Sequence, residues 1–152
     1  MKKRFASVIS TWFGSGLIPF APGTWGSIAA LPFAWIIYEL WRAPGLMAAT
    51  LFLFLLGTWT SSIHAKDLPD DDPSEIVVDE VVGQWMTLLV VPPDLLYYAI
   101  GFVLFRVFDV FKPWPVSWAD RRIKGGLGIM LDDVLAAVYA AIVLVAVRYW
   151  IG

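Results

Sequence analysis

The chain of 152 residues contains no cysteine, one histidine and few charges, with Asp, Glu, Lys and Arg together making up 16%. The absence of cysteine excludes disulfides, thiolate metal sites and cysteine nucleophiles. The single histidine, His64, is read as an interfacial hydrogen-bonding residue rather than a ligand. A net charge of -2 and a pI near 5.2 give no electrostatic footprint for a nucleic-acid partner. Internal repeats and a soluble domain are also missing, so residues 1–152 are read as a single domain.

What fills the chain is apolar. Hydrophobic residues make up 59%, and the mean hydropathy is +0.72. Soluble domains run at about 45–50% apolar and about 25% charged. A soluble globule of this length could not bury that much apolar surface, which implies an integral membrane protein. The nine tryptophans and five tyrosines fit, because amphipathic rings favour the membrane–water interface. The opening MKKRFASVISTWFGSG has the basic start of a signal peptide. Its apolar stretch is interrupted by Ser7, Ser10, Thr11, Gly14, Ser15 and Gly16, so a retained short interfacial helix is expected.

A membrane-crossing helix needs roughly 20 mostly apolar residues. Five segments come near that length: Trp25–Trp41, Leu46–Ala65, Ile76–Val91, Leu95–Phe111 and Leu131–Trp150. The first ends at RAPG, the third at Pro92-Pro93 and the fourth before KPWP. The expected fold is an all-α membrane protein, a bundle of about four to five transmembrane helices plus a short N-terminal interfacial or re-entrant helix. With five spans, Lys2, Lys3, Arg4, Lys66, Lys112, Arg121, Arg122 and Lys124 fall on one side, and only Arg42 and Arg148 on the other. The positive-inside rule makes the first side cytoplasmic.

Six ionisable residues fall inside these segments near that side: Asp79, Glu80, Arg106, Asp109, Asp132 and Asp133. Each would cost roughly 2.5–3.5 kcal/mol at the bilayer centre. They must lie shallow, pair with one another or bind a cation. In FRVFDVFKPWP, Arg106, Asp109 and Lys112 recur every third residue and share one helical stripe. This is either an Arg–Asp pair with a snorkelling lysine or an anion clamp beside a carboxylate. In IVVDEVVGQW, Asp79 and Gly83 share a face, and the glycine admits a neighbouring backbone close to the carboxylate. Asp132 and Asp133 stand at the front edge of the last segment. Acidic residues at a helix start can be explained by the dipole alone, although a doublet on each of two helices exceeds that need. In PFAPGTWGS, Thr24 or Ser27 is a candidate cap for the first span, and such a start can also dock phosphate oxygens.

Clustered carboxylates without cysteine suit a hard cation such as Mg²⁺ and suit Zn²⁺ poorly. With Arg106 and Lys112 as phosphate-side cations, the residues point to metal-assisted phosphoryl chemistry on an anionic lipid headgroup. Schemes needing two histidines or a cysteine are excluded. The run Asp70-Asp71-Asp72-Pro73-Ser74 only approximates an aspartyl-phosphate signature and is read as a solvated acidic loop. Proton or ion transport is the competing class, disfavoured by the clustering of charge at one face and by the lack of repeat symmetry.

The segments PGTWGS, SEIVVDEVVGQW, FRVFDVFKPWP and GGLGIMLDDVLAAV, in this order, resemble the phosphatidylglycerophosphatase A family of bacterial inner membranes. The similarity runs from about Thr11 to Tyr139, with no departure at the charged motif positions. The resemblance implies a Mg²⁺-dependent lipid phosphatase that converts phosphatidylglycerophosphate to phosphatidylglycerol and inorganic phosphate. Asp79, Glu80, Asp132 and Asp133 are then expected as metal ligands, and Arg106 and Lys112 as the clamp on the phosphomonoester. Thr24, Gly26 and Ser27 would contact phosphate. Asp109 would serve as ligand, base or nucleophile, with water the favoured attacking group.

Overall fold

A computed structural model describes residues 1–152 as six α-helices and one 3₁₀ turn, with no strand. The helices are α1 (Lys2–Ser10), α2 (Pro22–Ala65), α3 (Val78–Leu88), α4 (Leu95–Phe111), α5 (Val116–Arg122) and α6 (Gly125–Ile151). The 3₁₀ turn Ser15–Leu17 follows α1.

The long α2 is two arms. Arg42 leaves helical geometry at φ 56° and ψ -164°, with Pro44 just beyond it. A proline ring clashes with the carbonyl four residues back and donates no hydrogen bond, so the break falls where the RAPG stretch predicts it. The arms 22–41 and 43–65 cover the first two expected segments. Helix α4 coincides with the fourth. The Asp94 carboxylate caps its start, accepting hydrogen bonds from the amides of Leu96 (2.9 Å) and Tyr97 (3.1 Å). Its end comes at Lys112, one residue before Pro113.

Two segments differ from expectation. The third is not a span. Helix α3 has 11 residues, about 16 Å of helix against a hydrocarbon core of about 30 Å. Nine of those residues are buried, and α1, α2, α4 and α6 pack around the helix. The last helix starts at Gly125 rather than Leu131. Asp132 and Asp133 therefore lie about two turns inside α6, not at its front edge. A helix dipole acts within the first turn, so it does not account for this doublet.

Of the six helices, α2 and α6 are long and apolar enough to cross a membrane. Between them α3 forms the interior. Trp85 packs edge to face on Trp12 at 5.7 Å and donates its indole N–H to the carbonyl of Ala30 at 2.9 Å. Large apolar side chains on the outside remain exposed, among them Ile36, Leu51, Leu55, Val103 and Ile142. That is the inverse of a water-soluble surface.

Candidate active site

Four helices and one loop meet at one end of the bundle. The start of α2 contributes Pro22, Gly23 and Thr24, and the loop before α3 contributes Asp72 and Ser74. Helix α3 adds Asp79 and Glu80 from its first turn, α4 adds Arg106 and Asp109 with Lys112 at its end, and α6 adds Asp132 and Asp133. Together they line a cavity of about 320 Å³. The sequence-predicted Asp79, Glu80, Arg106, Asp109, Lys112, Asp132, Asp133 and Thr24 all reach it.

The side chains are tightly interlinked. The Arg106 guanidinium donates to Asp109 and lies 3.7 Å from Glu80. The Lys112 ammonium donates to Asp120 at 2.7 Å and to Asp132 at 3.2 Å. Lys112 holds a left-handed backbone conformation at φ 48°, which turns the chain out of α4 toward α5. Burial opposes its charge, but the contacts with Asp120 and Asp132 outweigh that and raise its pKa. Within each acidic doublet the first carboxylate accepts from the following amide: Glu80 to Asp79 at 2.9 Å, and Asp133 to Asp132 at 3.0 Å. Each of these two doublets is thereby fixed by its own backbone.

Carboxylate oxygens gather in three groups, with the oxygens of each within 4.8 Å of one another. Asp72, Asp120 and Asp132 form the first, Asp79, Asp132 and Asp133 the second, and Glu80, Asp109 and Asp133 the third, so Asp132 links the first two and Asp133 the last two. One oxygen of Glu80 and one of Asp133 are buried without any hydrogen-bond partner. The cavity wall holds six carboxylates, counting Asp72, against two cations. Buried carboxylates left unpaired at such spacing repel strongly. The donor set, all hard oxygen, fits a divalent cation such as Mg²⁺.

Two expected phosphate contacts do not reach the cavity. Helix α2 starts at Pro22, a favoured first-turn residue, three residues before the expected start of the first span. That puts Gly26 and Ser27 one turn below the opening. Gly26 packs on Val77. Ser27 is buried and donates its hydroxyl to the carbonyl of Gly23 at 2.9 Å. Neither Thr24 nor Ser27 caps the helix, whose cap is Ala21 without a side-chain bond.

Sequence reasoning missed Gly23, Asp72, Ser74 and Asp120. Asp72 belongs to the run read as solvated, and Asp70, Asp71 and Asp72 are indeed exposed, but the loop also brings Asp72 to the cavity rim. His64 pairs with Glu75 at 2.5 Å, and the Val77 amide donates to the Ser10 carbonyl at 2.8 Å, holding the loop down. Burial is the main cause of the raised pKa of Asp72, with Asp120 and Asp109 adding to it and Lys112 opposing it. The adjoining SEIVVDE motif was the available signal. At Gly23, an added methyl would sit 2.6 Å from Glu80 Oε1 and 3.1 Å from the Arg106 nitrogens. Gly23→Ala is therefore expected to displace both side chains and reduce turnover about tenfold or more while leaving the fold intact. Phosphate release and circular dichroism of the variant check this.

A helical cavity that sets two fixed cations beside a dense carboxylate cluster belongs to the class of sites that handle phosphate esters, as phosphatases do. Comparison with known proteins agrees. Residues 8–148 match the family described as PgpA: Phosphatidylglycerophosphatase A. The chain is 42% identical over 147 residues to phosphatidylglycerophosphatase A of Escherichia coli (strain K12), covering 95% of this chain and 82% of that protein. It is 40% identical over 144 residues to the protein of the same name from Haemophilus influenzae, covering 94% and 88%. A Bacteroides thetaiotaomicron relative provisionally named a phosphatidylinositol-3-phosphatase is 43% identical over 152 residues, covering 95% and 94%. No solved structure matches. The chain belongs to the phosphatidylglycerophosphatase A family and is a phosphatase.

Proposed function

We propose that the protein is a Mg²⁺-dependent phosphatidylglycerophosphatase of a bacterial inner membrane, working from the cytoplasmic end of a multi-pass bundle. The observation that carries this reading is Asp133, buried in α6 with one oxygen unpartnered and shared between two carboxylate groups. Phosphatidylglycerophosphate is the substrate implied by the names of two relatives.

Both arms of α2 serve as spans together with α4 and α6, while α3 is a buried half-length helix. At 17 residues, α4 extends about 25 Å, close to the hydrocarbon thickness. The basic residues of the termini and loops support the cytoplasmic orientation. Lys3 pairs with Asp67 of the α2–α3 loop at 3.0 Å, joining the basic N-terminus to the end that holds the site.

In the reaction, water attacks phosphorus, the bond from phosphorus to the glycerol oxygen breaks, that oxygen takes up a proton to give phosphatidylglycerol, and inorganic phosphate is released. Asp79, Glu80, Asp132 and Asp133 would hold Mg²⁺. When bound, Mg²⁺ supplies charge neutralisation and Lewis acidity to the phosphoryl oxygens. Arg106 and Lys112 hold the phosphomonoester and stabilise the charge developing on its oxygens. The Gly23 amide, the one N–H in the first turn of α2 that does not donate to the Ala21 carbonyl, and the Thr24 hydroxyl add hydrogen bonds to phosphate. Asp109, fixed by the guanidinium of Arg106, accepts the proton released by the attacking water.

Transport is the poorer account. The charged cluster is confined to one end, and below it the interior is the apolar core around Val81, Val82, Trp85 and Leu88. The test is purified protein with phosphatidylglycerophosphate, with and without Mg²⁺, following free phosphate. Release that requires the ion and is abolished by a chelator is expected. Equal release in chelator would overturn the metal requirement, and no release under any condition would overturn the substrate.

A further inference from the structure

Between the first arm of α2 and α4 lies a second cavity, about 550 Å³, lined by Leu31, Trp35, Ile36, Leu95, Tyr98 and Ala99 among others. Its lining is almost entirely apolar. Tyr98 meets Trp35 edge to face at 5.2 Å and closes the inner side. Ile36 and Leu95 stand on the exposed rim.

The placement of this cavity follows the polar one along the same two helices. On α2, Thr24 lines the active-site cavity, and Ile28, Leu31 and Trp35 follow it at helical spacing on one face. On α4, Arg106 lines the active-site cavity, and Val103, Ala99 and Leu95 follow on one face in the opposite chain direction. Seven residues separate Thr24 from Leu31 and Arg106 from Ala99, which is about 10 Å of helix on both sides. Ile28 and Val103, the residues in between, are exposed and apolar. An outward-facing apolar track therefore descends from the phosphate clamp into the lower cavity.

Resting on the lipid-phosphatase function above, we propose that this groove between α2 and α4 binds one acyl chain of the substrate while its phosphate sits between Arg106 and the carboxylates. A phospholipid has the required shape, an anionic head joined to an apolar tail that enters the bilayer in the same direction. The groove is a binding site for the part of the substrate that does not react. It raises the efficiency of long-chain substrates over short ones through van der Waals contacts and positioning that only a chain long enough to fill the groove obtains.

The experiment compares dioleoyl and dihexanoyl phosphatidylglycerophosphate in mixed detergent micelles, reading kcat/KM for phosphate release. The unmodified protein prefers the dioleoyl substrate. Ala99→Phe fills the groove, and Ile36→Trp blocks it from the exposed rim, where a larger side chain does not disturb packing. Each lowers the dioleoyl-to-dihexanoyl ratio at least about threefold, through the van der Waals contacts with the long chain that are lost. Ile142→Phe, an equally bulky change on the outer face of α6 away from both cavities, leaves the ratio unchanged. A ratio near one for the unmodified protein, or a ratio that both groove variants preserve, would overturn the groove while leaving the phosphatase function standing. No phosphate release from either substrate by the unmodified protein would overturn the function on which the groove rests.

Discussion

Asp109→Asn is expected to lower phosphate release about a thousandfold with the protein still folded in detergent. The size follows from the loss of a positioned general base, worth about 10²–10⁴ in rate. Asparagine keeps the volume and can still meet Arg106, so the helix packing around residue 109 is retained. What it loses is the negative charge that holds the guanidinium and accepts a proton. Asp109 is buried, and its oxygens group with those of Glu80 and Asp133. Thermal unfolding close to that of the unmodified protein together with near-zero turnover is the expected pair of results. Substantial turnover in this variant would remove Asp109 from the mechanism.

Arg106→Gln is expected to have the second largest effect, and on two readouts. Turnover falls about a hundredfold or more, because a fixed cation no longer meets the charge that develops on the phosphoryl oxygens. Stability also falls when divalent cations are absent. Arg106 contacts both Glu80 and Asp109, and its removal leaves both carboxylates poorly compensated. Removing one partner of a buried charge pair costs about 3–5 kcal/mol. Added Mg²⁺ is expected to restore part of the stability and none of the turnover. Arg106→Lys should not rescue activity, since an ammonium cannot reproduce the planar fork that faces two partners at once. Melting curves with and without Mg²⁺, set beside phosphate release, separate the two effects.

How far the fold was legible depended on whether a local signal marked each boundary. Helix α4 was readable at both ends because Asp94 caps it and a proline follows it. The break in α2 was readable because RAPG sets Pro44 beside Gly45, whereas Pro32 alone leaves the first arm unbroken. Helix α3 was misjudged because its flanking residues Ile76, Val77 and Leu89–Val91 are apolar too. Hydropathy does not distinguish a buried half-length helix from a spanning one. The true start of α6 was hidden by GGLG, because glycine is a poor helix former and the apolar run begins only after it. Helix α5 follows the short connection after Pro113 and has no apolar run of its own to announce it.

Most residues that gather at the cavity were legible in the sequence, and their geometry was less so. The carboxylate doublets and the Arg106–Asp109–Lys112 stripe stood out because charge inside an apolar segment demands a partner. At Gly83, an added methyl would lie 3.1 Å from the Asp133 carbonyl oxygen, so α6 does approach the Asp79 face there, as the spacing suggested. The helix phase at the start of α2 was not available, which is why Gly26 and Ser27 were expected at the cavity in place of Pro22 and Gly23. Asp72 was missed for a different reason. Its position depends on contacts distant in sequence, between His64 and Glu75 and between Ser10 and Val77.

The most direct test is divalent-ion binding itself, measured without turnover. Mn²⁺ titrated into the detergent-purified protein and followed by electron paramagnetic resonance should bind, and Mg²⁺ should displace it. Asp133→Asn, altering the residue that links the Asp79 and Glu80 groups, should weaken that binding at least about tenfold while the protein remains folded. Equal Mn²⁺ affinity in the unmodified protein and the Asp133→Asn variant, or no binding to either, would contradict the account.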